Sequence, residues 1–287
     1  MENLKRLRKR IQSIRNTEQI TKAMKMVSAA KLRRAQEKAE TGRPYNEYLE
    51  RIVKSMILRT SRQIHPLLAK PNREKCLLII FTSDRGLCGS FNHNMIKEVE
   101  AFINLNPEGF KEFSMIMVGR RGWEYFNKRG YPIVGKFTNL SGSLPPDLPE
   151  KIVNEIIERF ISGQNDYIYF YYYKFRSAIS QKIIKQPLLP IEADEVPKDI
   201  LPIEYIFEPT PYEILDKFLT LYLKTTIFQL LLESIASEHG ARMTAMDSAT
   251  NNCIDMIDYL TLKYNRARQS AITLELMDIV GGAEALK

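Results

Sequence analysis

The chain is short of the residues that usually announce chemistry. Its cysteines, Cys76, Cys88 and Cys253, are an odd number with no CxxC spacing. Neither a disulfide framework nor a zinc site is indicated, and a reducing compartment fits. His65, His93 and His239 are too dispersed for a metal centre. There is no GxxxxGK[ST] and no GxGxxG motif, so the familiar phosphate-cradling loops are missing and no cofactor is expected. No run of eighteen apolar residues occurs, so no membrane span is expected. The charged N-terminus is not followed by an apolar segment and does not read as a secretory signal. Residues 1–44 contain no aromatic, which weakens a nucleic-acid reading that would need base stacking. No internal repeat or low-complexity tract is present.

What is present is unevenly distributed. Across 287 residues the net charge is +8. Residues 1–40 hold twelve Lys or Arg against four Glu, so this segment carries the whole excess. It must face something acidic: nucleic acid, anionic lipid or an acidic protein surface.

The last seventy-odd residues dominate the pattern. Thr210 is a candidate N-cap, Pro211 sits at the first helical position and Glu213 completes a capping box. No proline follows Pro211, and Gly281-Gly282 read as the stop. Between them apolar residues recur at three- and four-residue steps, including Phe218, Leu231, Met246, Met256, Leu260, Leu274 and Met277. Such a helix would be roughly 105 Å long, too long to be covered by a domain of this size. A second long helix is expected over 3–58. Leu4, Leu7, Ile11 and Ile14 start its stripe, and Ile20, Met24 and Val27 resume it after a phase slip. Gly42-Arg43-Pro44 should kink or interrupt it. The two stripes are most economically buried against each other, antiparallel, in a coiled coil with impure heptads. Gly240 reads as a possible close crossing between these helices.

The middle of the chain has a different texture. Cys76–Phe81 is a fully apolar run of buried-strand type. Further strands are expected at 114–118, 133–138, 167–173 and 179–184, with helices near 92–104, 121–129 and 148–162. Alternating strands and helices imply a small, largely parallel α/β layer. The resulting division is a first coiled-coil helix over 1–60, an α/β domain over 74–190, a linker over 191–210 and a second coiled-coil helix over 211–287. The loop Ser83–Ser90 lies between a strand and a helix, where nucleotides bind in such folds, but no lysine is placed to hold a phosphate. A tight turn is the plainer reading. Asp84, Cys88 and His93 do not make a catalytic set, because no third group orients them.

Three separated motifs carry a resemblance. Arg15–Val27 (RNTEQITKAMKMV), Asp84–Gly89 (DRGLCG) and Tyr264–Thr273 (YNRARQSAIT), the last followed by Glu275, Asp278, Gly282 and Ala283, are similar in kind and order to those of the gamma subunits of bacterial-type F-type ATP synthases. The resemblance implies an antiparallel coiled coil beside a Rossmann-like α/β domain. It implies a non-catalytic rotor shaft inside a ring of three alpha and three beta subunits, with an epsilon subunit and a membrane c-ring as further partners. It implies no nucleic acid, and attachment to the cytoplasmic face of a bacterial plasma membrane only through the complex. Met24, Lys31, Arg33 and Arg34 match positions near an acidic lever of beta, and Arg268 and Gln269 match a contact to a beta loop. Tyr205 and Glu208, with Arg43–Tyr45, match the foot beside epsilon and the membrane ring. The paired-cysteine insert of chloroplast members is absent. Two rival readings remain: a basic coiled-coil nucleic-acid-binding protein and a nucleotide-dependent enzyme using the 83–90 loop.

Overall fold

A computed structural model describes residues 4–59, 64–69, 72–140, 144–178, 180–192 and 210–284. In chain order the elements are α1 (Leu4–Arg59), a 3-10 turn (Pro66–Leu68), β1 (Lys75–Phe81), α2 (Phe91–Leu105), β2 (Glu112–Val118), α3 (Arg120–Lys128), β3 (Ile133–Phe137), α4 (Leu148–Ile161), β4 (Tyr167–Phe175), β5 (Gln181–Leu189) and α5 (Pro211–Glu284). The chain divides into two compact units, residues 1–28 with 242–287, and residues 29–241. Each long helix contributes one segment to each unit.

The larger unit is built on a five-stranded sheet of order β3-β2-β1-β4-β5. All pairings are parallel except β4–β5. β1 is central, and Cys76 to Phe81 are fully buried, which is why this strand is apolar without alternation. β4 is the tyrosine-rich strand, and its rings interleave with those of α2. Phe102 meets Tyr169 edge-on at 6.2 Å, and Phe91 stacks on Tyr173 at 4.1 Å. Such pairs add to the area term of aromatic burial. β5 runs to Leu189, so the last expected strand, at 179–184, extends five residues further.

The first part of α5 packs on this body, and its small residues show how. Ser234 Oγ accepts from the Tyr173 N–H at 3.3 Å, and Ser237 Oγ donates to the Tyr173 carbonyl at 3.3 Å. A Cβ on Gly240 would meet Ala178 Cα at 3.3 Å and the Phe175 ring at 3.4 Å. Gly240 therefore lets α5 approach the β4–β5 hairpin, and the expectation that it marks a helix–helix crossing is corrected. Gly119 is obligatory for another reason. It holds φ 110°, and a Cβ there would lie 1.9 Å from the Thr82 carbonyl oxygen.

Two expected helix interruptions are not interruptions. α1 continues through Pro44. The ring removes the one N–H that would serve the Glu40 carbonyl, and the helix carries that loss without a break; next to it, Gln229 Nε2 of α5 donates to the Ala39 carbonyl at 3.3 Å. α5 continues through Gly281 and Gly282 to Glu284, and neither glycine takes a positive φ. At the other end the cap is as expected: the Glu213 N–H donates to Thr210 Oγ1 at 3.3 Å. By length and composition α5 passes for a membrane span, but 56% of its most apolar window is buried inside this protein.

Candidate partner-contact surfaces

In the smaller unit α1 and α5 meet along a seam of regular three- and four-residue steps. On α1 the positions withdrawn from solvent are Leu4, Leu7, Ile11, Ile14, Glu18, Thr21, Lys25 and Ser28. On α5 the seam positions are Met246, Thr250, Cys253, Ile257, Leu260, Tyr264, Ala267 and Ala271, and residues 242–245, Asp247, Ala249 and Thr261 are also withdrawn from solvent. There is no phase slip. The seam keeps its register and turns polar, with Thr21 and Thr250 hydroxyls 2.8 Å apart and Lys25 Nζ paired to Asp247 at 2.5 Å. Ile20, Met24 and Val27 do form a stripe, but a different one. Ile20 is 61% and Val27 57% exposed, and Met24 is half-buried beside them. Met256, Leu274 and Met277, expected on the α5 stripe, are likewise exposed.

This leaves apolar surface uncovered where a coiled coil alone should have covered it. From Ile272 to Gly282 every residue is exposed, including Leu274, Leu276, Met277, Ile279 and Val280. A helix tip that is apolar over most of its circumference, with Glu275 and Asp278 on one side, matches a surrounding sleeve of protein better than water. Arg268 and Gln269 are exposed about one turn before this tip, and the Gln269 carbonyl accepts from Thr273 Oγ1 at 2.9 Å. Arg6, Arg8, Lys9, Arg10, Arg15 and Lys22 of α1 are exposed as well, so the charge excess of this segment points outward.

In the larger unit, Lys31 is half-buried and Arg34 exposed, and both line one groove between α1 and α5. Arg33 turns elsewhere and pairs with Glu37 at 3.0 Å. Tyr45 is exposed, whereas Tyr205 and Glu208 lie outside the described residues.

The 83–90 loop is a tight, internally bonded turn. Asp84 accepts N–H bonds from Arg120, at 3.1 Å, and from Leu140. The Ser83 N–H donates to Asn92 Oδ1 at 2.9 Å, and Cys88 is buried against both residues. Leu87 is held at φ 65° with its side chain 62% exposed. An apolar side chain in a left-handed conformation at a loop tip is an added candidate contact. The sequence clue was a leucine between two glycines in a polar turn. The strand order reverses between β1 and β4, where α/β folds bind ligands. Here that crevice is filled: Tyr173 stacks on Phe91 and its hydroxyl donates to the Phe91 carbonyl at 2.6 Å.

Comparison with known proteins settles the lineage. Residues 3–286 match the family model described as ATP synthase. The chain is 47% identical to the ATP synthase gamma chain of Geobacter metallireducens, with both chains covered completely.

The chain belongs to the ATP synthase gamma-chain family.

The gamma chain of Bdellovibrio bacteriovorus is 42% identical, again over the full length of both. Among solved structures, a chain of the central stalk and c-ring of Tetrahymena thermophila mitochondrial ATP synthase has TM-score 0.60 and 26% identity, covering 80% of this chain and 99% of that one. A chain of the Euglena gracilis mitochondrial ATP synthase rotor has TM-score 0.69 at 18% identity, covering 94% and 98%, and shares the fold. Gamma-chain membership accounts for both long helices, and the nucleic-acid reading has no support from these relatives.

Proposed function

We propose that this chain is the central rotor shaft of an F-type ATP synthase. One observation carries the reading: the paired terminal helices leave an apolar tip and a flanking apolar stripe uncovered, in a chain related over its full length to ATP synthase gamma chains. In this reading ion flow turns a membrane c-ring, the ring turns the shaft, and the shaft turns inside three alpha and three beta subunits. Its faces differ, so at any instant each beta subunit meets a different surface and is biased toward a different open or closed state. The chain itself is non-catalytic, and ATP chemistry belongs to the ring. It works at the cytoplasmic face of a bacterial plasma membrane, held there only through the complex.

Residue roles follow. Residues 1–60 and 211–287 form the shaft, 74–190 the α/β body and 191–210 the link between body and shaft. Met24, with Ile20 and Val27, offers an apolar patch, and Lys31, Arg33 and Arg34 offer cations to an acidic lever of beta. The polarity matches the +8 excess of residues 1–40. Arg268 presents a planar fork suited to a carboxylate-bearing loop of beta, with Gln269 beside it. Tyr205, Glu208 and Tyr45 are assigned to the foot facing epsilon and the c-ring.

Co-expression with alpha and beta subunits tests this directly. A stable complex should form, and Arg268→Ala/Gln269→Ala should lower ion-coupled ATP synthesis while helix content is unchanged. Loss of one charged hydrogen bond corresponds to about 1.5–3 kcal/mol. Failure of the unaltered chain to enter any alpha–beta complex would refute the shaft. Normal synthesis in the double variant would refute only the contact.

A further inference from the structure

Lys31 and Arg34, assigned above to an acidic lever of beta, also line a groove with a second, apolar wall. It lies wholly in the larger unit, between α1 and α5, with a volume of about 630 Å³. Its two walls differ in chemistry. Along α5, Phe228, Leu232 and Ile235 make a largely apolar wall that ends at the buried His239, and Leu144, from the segment before α4, completes it. Leu232 is buried, while Phe228 is 39% exposed and shows its ring at the surface. Along α1, Lys31, Arg34 and Lys38 recur on successive turns and form a basic wall. The acid in the lining, Glu37, is paired with Arg33 at 3.0 Å. The stretch from Lys31 to Gly42 measures about 16 Å along the helix axis.

Size and charge together select the occupant. Small-molecule sites enclose roughly 300–1,000 Å³, mostly apolar with a few polar groups that fix orientation. A basic wall facing an apolar wall over this length matches a molecule with an acidic head and an apolar body. Long Lys and Arg side chains also cover apolar surface with their stems, so the body of the ligand need not displace them.

We propose that this groove binds a small amphiphilic organic anion, such as a medium-chain carboxylate, with its head among Lys31, Arg34 and Lys38 and its chain against Phe228, Leu232 and Ile235.

The test uses the full chain and a dansyl-labelled undecanoate as fluorescent probe. Saturable one-site binding is expected, with displacement by decanoate and not by decanol, because the head is recognised as an anion. Arg34→Glu/Lys38→Glu alters two exposed residues and should weaken binding by about tenfold or more, as loss of a charged contact implies. Phe228→Asp, also at an exposed position, should do the same through the other wall. Met277→Asp/Ile279→Asp, at the apolar tip, should leave binding unchanged, which separates the groove from general surface hydrophobicity. The proposal is overturned by no saturation below about 1 mM, by equal displacement with decanol, or by loss of binding only in the tip variant. It is also overturned if an acidic amphipathic peptide displaces the probe and decanoate does not, since the groove would then be a peptide site.

Discussion

The hydroxyls of Thr21 and Thr250 lie 2.8 Å apart and buried in the seam between the two terminal helices. Each also reaches a carbonyl one turn back on its own helix, Glu18 at 2.9 Å and Met246 at 2.7 Å. Two protons cannot serve three contacts, so the pair always leaves one unserved. Removing both hydroxyls while keeping the shape should therefore cost nothing. Thr21→Val/Thr250→Val is expected to raise thermal stability by up to about 1 kcal/mol, since replacing both partners with apolar groups leaves no orphan. Each single variant should be close to neutral, because the remaining threonine keeps its own helix carbonyl. A double variant less stable by more than about 1 kcal/mol would show that the hydroxyl pair itself holds the seam.

Gly240 gives a prediction with two opposed terms. Replacing glycine by alanine inside a helix is worth about 1 kcal/mol. Here the new Cβ presses on Ala178 Cα at 3.3 Å and on the Phe175 ring at 3.4 Å. Gly240→Ala should change the unfolding midpoint little. Gly240→Leu should destabilise by about 2 kcal/mol or more, because the larger side chain must displace the hairpin. Urea unfolding of both variants measures this, and a leucine variant as stable as the parent would contradict the packing described.

A third expectation concerns acid. Burial pushes the Glu108 carboxyl up, but hydrogen bonds from Lys185 and Tyr169 (2.6 Å), with the Lys185 charge, outweigh it and hold its pKa below the ordinary 4.5. A depressed folded pKa means that the stabilisation is complete above 4.5 and is lost as pH falls through the lower folded value. Glu108→Gln should be less stable than the parent at neutral pH, and its stability should fall less steeply below pH 4.5. Identical pH profiles for the two would remove Glu108 from the account.

The fold was legible where one physical signal dominates. Cys76–Phe81 reads as a buried strand because six consecutive apolar residues flanked by polar ones fit a parallel sheet, and β1 is that strand. The long helices were legible from their stripes and from the Thr210 cap. The seam after Ile14 was not, because its positions are occupied by Glu18, Thr21, Lys25 and Ser28. Hydrophobic periodicity follows apolar residues, so it jumped to Ile20, Met24 and Val27, which lie on a different, more exposed face. Pro44 and Gly281-Gly282 misled for a related reason. Local propensity argues for a kink or interruption at the one and a stop at the other, but a single proline removes only one helix hydrogen bond, and two glycines cost too little to end a helix of 74 residues. Of the sequence-matched contact residues, Lys31 and Arg34 share a groove, Arg33 turns away from it, and Arg268 and Gln269 are exposed.

A fourth expectation follows from the filled crevice between β1 and β4. With Phe91 and Tyr173 stacked there at 4.1 Å, the purified chain should show no saturable binding of labelled ATP and no hydrolysis. Tight ATP binding that is lost on Gly86→Val would place a nucleotide in the 83–90 loop and contradict the description of that loop as a closed turn.

The central claim is mechanical, and single-molecule rotation addresses it most directly. Leu105 is 79% exposed at the end of α2, so a cysteine there can carry a bead without disturbing the core. The chain, assembled with alpha and beta subunits anchored to a surface, should turn the bead in one direction when ATP is supplied. Rotation should stop when the chain is crosslinked to a beta subunit. Sustained ATP hydrolysis by an assembled complex in which the bead never turns would contradict the reading of this chain as the shaft.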